Sequence, residues 1–152
     1  MFMGGDIPKV NVAAQDRVLL HLLNHYDWAD RYVVPQTVTR PGIAEACAQH
    51  PPNVSRTMRN LLKDGMVEEH TRSIQGEERR QKTWQLTEEG RKNARNRVEK
   101  LRSMKILIRD KKGKLLEIRA DEASKKLQTE LTLLQVLMHA QHEGVLNFGD
   151  IR

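Results

Sequence analysis

The side chains whose types and spacing could do chemistry are concentrated in "PPNVSRTMRNLLKDGMVEE", residues 51–69. If this segment is helical, successive residues are about 100° apart around its axis. Val54, Met58, Leu61 and Leu62 then share one side, and Asn53, Arg56, Arg59, Asn60 and Lys63 share the other. No carboxylate interrupts that second side; Asp64 stands at the helix end. A helix fits the major groove of DNA, where arginine can pair with guanine and asparagine with adenine through two hydrogen bonds each. Asn53, Arg56 and Asn60 are therefore expected to meet bases. Ser55, Thr57, Arg59 and Lys63 are expected at phosphates, which fix position without carrying sequence information. The bland alternative is a solvated helix face, and charge alone would favour it.

Other chemistries have less behind them. His21 and His25, and His139 and His142, are spaced to offer two imidazoles each from a helix face. Zinc takes three or four ligands, and no cysteine or acid completes either pair in sequence. They read as ordinary helix residues, with no metal expected. Cys47 is the single cysteine, so no internal disulfide is possible, which fits a reducing cytoplasm. It falls on the inner side of a short helix, where a structural thiol is expected in place of a redox sensor. There is no phosphate-cradling or dinucleotide glycine loop, and no nucleophile stands with a base. No catalytic role and no cofactor is expected.

The elements that must position the 51–69 segment can be read from periodicity and punctuation. Residues 1–11 read as a flexible leader. Apolar residues at helical spacing mark a helix over 12–26. Tyr32, Val33 and Val34 form a short extended piece closed by Pro35. Thr39 is a good N-cap, with Pro41 in the first turn of a helix reaching about residue 49. The double proline after His50 separates this helix from the next, expected over 52–64 and ended by Gly65. Two strands follow, 66–72 and 80–86, joined by a polar turn at Gly76. Thr87 caps a further helix with Glu88 and Glu89 in its first turn. Residues 104–119 read as a β-hairpin around "DKKG", with Gly113 at positive φ. A last long helix is expected over 121–143, capped by Asp121 and stopped by Gly144. Its apolar stripe of Leu127, Leu131, Leu134 and Met138 is broad enough for a dimer interface.

The order helix, short strand, helix, helix, two-stranded ribbon is that of a winged helix-turn-helix. Here "TRPGIAEACAQHPPNVSRTMRNLLKDGMVEE" followed by "GEERRQKTWQLTEEG" resembles the winged-helix domain of MarR-like transcriptional regulators. The resemblance covers about residues 12–95, and its "VPQ…T…GIA" approach is closest in style to archaeal examples. It departs from the family at "QHPP", where a glycine-containing turn is usual, and in the added hairpin. It implies a mainly α fold with a small β component (α+β), divided into a 12–103 winged-helix domain and a 104–152 region of hairpin and helix for dimerisation. It further implies double-stranded DNA as partner and a homodimer reading two half-sites about one turn apart. Arg79 and Arg80 at the ribbon tip would then approach the minor groove, although Glu77 and Glu78 beside them argue the other way.

Composition agrees without deciding. The 152 residues are 30% charged and only 4% aromatic, with a net charge of +6. Most of the surplus lies in residues 91–120, twelve Lys and Arg against three acids. That is more than solubility needs, and partial DNA contact is expected there. There is no run of about 18 apolar residues and no secretory signal pattern, so a cytoplasmic protein without a membrane span is expected. Two other functions compete: a winged-helix protein–protein adaptor, and an RNA-binding module. The scarcity of aromatics disfavours single-strand stacking.

Overall fold

The computed structural model describes residues 9–28 and 31–149. The chain divides into two compact units, one of residues 13–97 and one of residues 98–152 together with 1–12. The division falls inside a helix and not at the expected boundary after residue 103.

The first unit begins with α1 (Ala14–Asn24), which buries Val18, Leu19 and Leu22. A short strand β1 (Val33–Val34) leads through a 3-10 turn to α2 (Arg40–Ala46). Thr39 caps α2 as expected: its hydroxyl accepts from the Gly42 N–H at 3.3 Å and donates to the Gln36 carbonyl at 2.6 Å. α3 (Pro51–Lys63) follows, then the ribbon of β2 (Val67–Ile74) and β3 (Arg80–Leu86). The ribbon is antiparallel with Val67 opposite Leu86, and β1 adds to β2 in parallel, giving a three-stranded sheet in the order β1-β2-β3. α4 (Glu88–Arg102) begins here and ends in the second unit. Thr87 caps it, accepting from the Gly90 N–H at 3.0 Å and donating to the Gly65 carbonyl at 2.7 Å. Gly90 lets this helix approach the end of α3's connection to β2. A Cβ on Gly90 would lie 1.8 Å from the Met66 carbonyl oxygen.

The turn between α2 and α3 has its glycine-like position after all, filled by Ala48 at φ 53°. The Gln49 N–H bonds the Ala44 carbonyl at 2.9 Å and the Ala48 N–H bonds that of Glu45 at 3.3 Å. These are the two bonds of a Schellman ending. "QHPP" thus makes the turn by the usual hydrogen bonds, with an alanine in the left-handed conformation that glycine adopts more cheaply.

The second unit corrects three expectations. The hairpin forms, with β4 (Lys105–Arg109) and β5 (Leu115–Arg119) paired around a turn in which Gly113 has φ 80°. It is not an isolated hairpin. A sixth strand, β6 (Val145–Asn147), lies parallel to β4 on its other edge, so the sheet order is β5-β4-β6. As the central strand β4 is covered on both sides, and Ile106, Leu107 and Ile108 are all buried.

The last helix is not continuous over 121–143. A 3-10 turn at Ala120–Glu122 leads into α5 (Ala123–Lys126), which stops, and α6 (Leu133–Glu143) starts afresh. Two local motifs break it. Gln128 takes φ 53° and α5 closes with the same Schellman pair, Thr129 N–H to Ser124 carbonyl and Gln128 N–H to Lys125 carbonyl. Thr132 then caps α6 in a capping box: its hydroxyl accepts from the Gln135 N–H at 3.2 Å, and the Gln135 side chain accepts from the Thr132 N–H at 2.9 Å. Asp121 caps no helix; it pairs with Arg119 at 2.9 Å. α6 buries Leu134, Val136, Leu137 and Ala140 within its own unit.

Residues 1–8 of the expected leader lie outside the described residues. Of its described residues, Val10 is buried while Lys9 and Asn11 are exposed; the next residue, Val12, is buried and its N–H donates to the Gln141 side chain at 2.7 Å.

Candidate nucleic-acid interface

α3 is held to the unit by Val54, Met58 and Leu61, each at most 1% exposed. That buried side fixes the direction of the opposite one. Asn53, Arg56, Arg59, Asn60 and Lys63 are all exposed, and Ser55 and Thr57 are half-buried on the flanks. Among the described residues none of the five exposed side chains has a hydrogen-bond or ion-pair partner. Their donors are free for a ligand, a point that favours an interface over a face whose charges pair among themselves.

Two grooves run along the flanks of α3. The one toward the ribbon has a volume of about 460 Å³ and is walled by Arg40, Ser55, Arg59 and Lys82, with Met58 and Trp84 deeper. Arg40 reaches the Ser55 hydroxyl at 3.4 Å, and that hydroxyl donates to the Pro51 carbonyl at 3.3 Å. Lys82 is paired with Glu69 at 2.9 Å. The groove on the other flank, also about 460 Å³, joins Asn53, Arg56 and Thr57 to Arg17 and His50. The Arg17 guanidinium is anchored on the Cys47 carbonyl at 3.2 Å. Arg17 and Arg40 were missed in the sequence. Arg40 opens α2 directly after its N-cap, and that position beside the next helix was the available signal. Nothing local marked Arg17.

The two wing arginines differ in their contacts. Arg80 donates to the Thr71 carbonyl at 2.7 Å and so lies along the ribbon, whereas Arg79 is exposed and has no partner among the described residues. Glu77 accepts from the Gln36 side chain at 2.7 Å. The ribbon residues that share a groove with α3 are Glu69, Gln81, Lys82 and Trp84, and neither Arg79 nor Arg80 is among them.

Beneath the site, α1 is tied to the segment leading into α2. His21 is 4% exposed, and its Nε2–H donates to the Thr37 carbonyl at 2.7 Å. Burial lowers its pKa from 6.5 to about 4, against the opposing effect of that hydrogen bond and with a further lowering by His25. His25 itself donates from Nδ1 to the His21 carbonyl at 2.8 Å. Cys47 is fully buried, and burial pushes its thiol up to about 12, the Arg17 charge opposing. At that value it is not a thiolate at neutral pH. Arg91 lies 4.4 Å over the Tyr26 ring, and Arg97 pairs with Asp16 at 3.7 Å. Two of the basic residues of 91–120 are thus committed to holding α4 in place. Among the described residues no group of three or more His, Cys, Asp or Glu could hold a metal ion, and no helix is long and apolar enough to cross a membrane.

Three helices closed by a two-stranded ribbon, with the third helix presenting a free, acid-free polar side, define the winged helix-turn-helix class. No family model matches the chain, and no curated protein matches it. Among solved structures it is similar to MepR, a transcription regulator of the Staphylococcus aureus multidrug efflux pump MepA. The identity is 25% over 58% of this chain and 56% of that one, with a TM-score of 0.44. It is similar also to the S. aureus MepR–DNA complex, at 24% identity over 58% of this chain and 62% of that one, TM-score 0.46. The chain spans a little over half the length of these MepR chains. Neither is archaeal, and the archaeal expectation gains nothing from them.

Proposed function

We propose that this protein binds double-stranded DNA in a sequence-specific manner and acts as a cytoplasmic transcriptional regulator and a homodimer. One observation carries the reading: the outer side of α3 holds five exposed, unpartnered side chains, all donors and none acidic, above a fully buried apolar side. Asn53, Arg56 and Asn60 face base edges in the major groove. Thr57, Arg59 and Lys63 contact phosphates, and Arg40 joins them by way of Ser55, whose hydroxyl proton is already spent on Pro51. Arg17 extends the phosphate contacts on the other flank. In the wing, Arg79 and not Arg80 is the residue with a free guanidinium for the minor groove.

The homodimer rests on the economy of two-fold readers, which address two half-sites about 10–10.5 base pairs apart. α6 was the first candidate for its interface, but it uses four apolar positions inside its own unit. It nevertheless keeps Leu133 and Met138 half-exposed, so α6 stays a candidate beside the basic helix α4, and sedimentation velocity over a concentration series tests the dimer itself.

Fluorescence anisotropy with labelled duplexes at several salt concentrations tests DNA binding. Each phosphate neutralised should steepen the log–log salt dependence by about 0.9. Equal affinity for duplex RNA would transfer the site to the RNA-binding reading. Absence of salt-sensitive binding to either duplex would leave only the protein–protein adaptor.

A further inference from the structure

The sheet of the second unit carries a groove that the α3 interface does not use. Ile106 and Ile108 on β4 are fully buried, yet their cross-strand neighbours on β5, Ile118 and Leu116, are only partly covered. α5 is four residues long and closes just before the left-handed Gln128, so it gives this side of β5 only a short cover. The result is an open groove of about 930 Å³, with Leu116, Ile118 and Phe148 as its apolar lining. Its polar lining is dominated by lysines from two directions: Lys111 and Lys112 in the β4–β5 turn, and Lys125 and Lys126 on α5. All four are exposed, and none has an ion-pair partner among the described residues.

Two carboxylates also line the groove, Asp110 and Glu122. Asp110 is occupied: its Oδ1 accepts from the backbone N–H groups of Lys112 and Lys114, both at 2.9 Å. That bonding fixes the turn and holds Lys111 and Lys112 at the groove. The lining therefore combines a hydrophobic surface with a surplus of cations, four against two. A phosphate track would need the lysines but not Leu116, Ile118 and Phe148. An uncharged ligand would need the apolar lining but not the lysines.

We propose that this groove binds a soluble amphiphilic anion: an apolar chain or ring on Leu116, Ile118 and Phe148, its carboxylate or sulfonate among the lysines. The volume lies in the range of small-molecule sites, roughly 300–1,000 Å³. The proposal is separate from the α3 interface, because no lining residue belongs to α3 or the ribbon; for Lys111 and Lys112 of the basic block 91–120 it takes the place of DNA contact.

The probe is 8-anilinonaphthalene-1-sulfonate, followed by its fluorescence on the full chain at low salt. The expected result is saturable binding that dodecanoate displaces, with dodecyltrimethylammonium, a cation of the same chain length, ineffective. Reversing two lysines (Lys125→Glu with Lys126→Glu) should weaken the probe about tenfold, from the sum of several exposed charge interactions. Leu116→Gln should weaken it while leaving its salt dependence unchanged. Cooperative urea unfolding of each variant confirms that the fold is kept; should the reversal unfold the chain, Lys125→Gln with Lys126→Gln replaces it. Unsaturable binding, equal competition by the cation, or indifference to both sets of substitutions would overturn the proposal. So would binding confined to anionic vesicles, or to an acidic amphipathic peptide that dodecanoate does not displace.

Discussion

His21→Gln tests how α1 is fastened beneath the candidate interface. In the native chain the Thr37 carbonyl can only accept, so Nε2 of His21 carries a proton, and burial keeps Nδ1 unprotonated and the imidazole neutral at about pH 7. A second proton would place a charge in a site 4% exposed, beside the His25 ring at 4.3 Å between centroids. Burial is the main reason that the pKa drops from 6.5 to about 4. The unfolded chain therefore takes up a proton as pH falls through about 6.5, and the folded chain resists until about 4. Stability held by the neutral imidazole is complete above that window and is lost as pH falls through it. Across the window the loss is ~3 kcal/mol, at about 1.36 kcal/mol per pH unit. Glutamine keeps an amide donor for Thr37 and takes no proton. Urea unfolding followed by circular dichroism, at about pH 7 and about pH 4, gives the pH dependence of each protein. The native chain should lose ~3 kcal/mol more than the variant on acidification. Equal losses, to within about 1 kcal/mol, would show that His21 is not held neutral by burial, and the reasoning would be refuted.

Arg56→Ala should cost about 1–3 kcal/mol of DNA affinity and relax sequence preference at one position, read by competition among duplexes with single base changes. Lys63→Ala should weaken all duplexes alike and lower the log–log salt slope by about 1, as a phosphate contact does. Gly90→Ala should destabilise the chain by about 1–3 kcal/mol in urea, since its Cβ has only the Met66 backbone to displace; an unchanged midpoint would mean that α4 can shift freely. Thr132→Ala should cost about 1 kcal/mol through loss of the capping box, again measured in urea.

The parts of the molecule that were legible in the sequence are those with strong local signals. Thr39, Gly65 and Thr87 are caps or stops whose side chain or missing side chain makes the boundary directly, and the elements between them fall within a residue or two of expectation, except that α2 ends at Ala46, three residues early. The α3 surface followed from a helical period that sorts apolar and donor residues cleanly. The failures have equally local causes. Leu127, Leu131, Leu134 and Met138 keep helical spacing across a break, so periodicity hid it. Thr132 and Gln135 spelled a capping box there, and Gln128 entered the left-handed region without a glycine to mark it. β6 is three residues long, too short for an alternating pattern, and pairs with a strand 38 positions earlier in register (Leu107 with Val145). The run Ile106, Leu107, Ile108 was the readable trace of it, because a strand apolar on both sides is a central strand. At the site, the free donors were foreseen but their neighbours were not: Arg17 and Arg40 come to α3 through tertiary packing, and the Arg80 bond to Thr71 depends on ribbon register.

Selection from random duplex DNA with the purified full chain tests the central claim most directly. The expected outcome is an enriched palindrome with half-sites about 10–10.5 base pairs apart, whose enrichment is lost when Asn53, Arg56 and Asn60 are replaced by alanine. A pool that stays random through successive rounds, or a motif that those three substitutions leave intact, would contradict it.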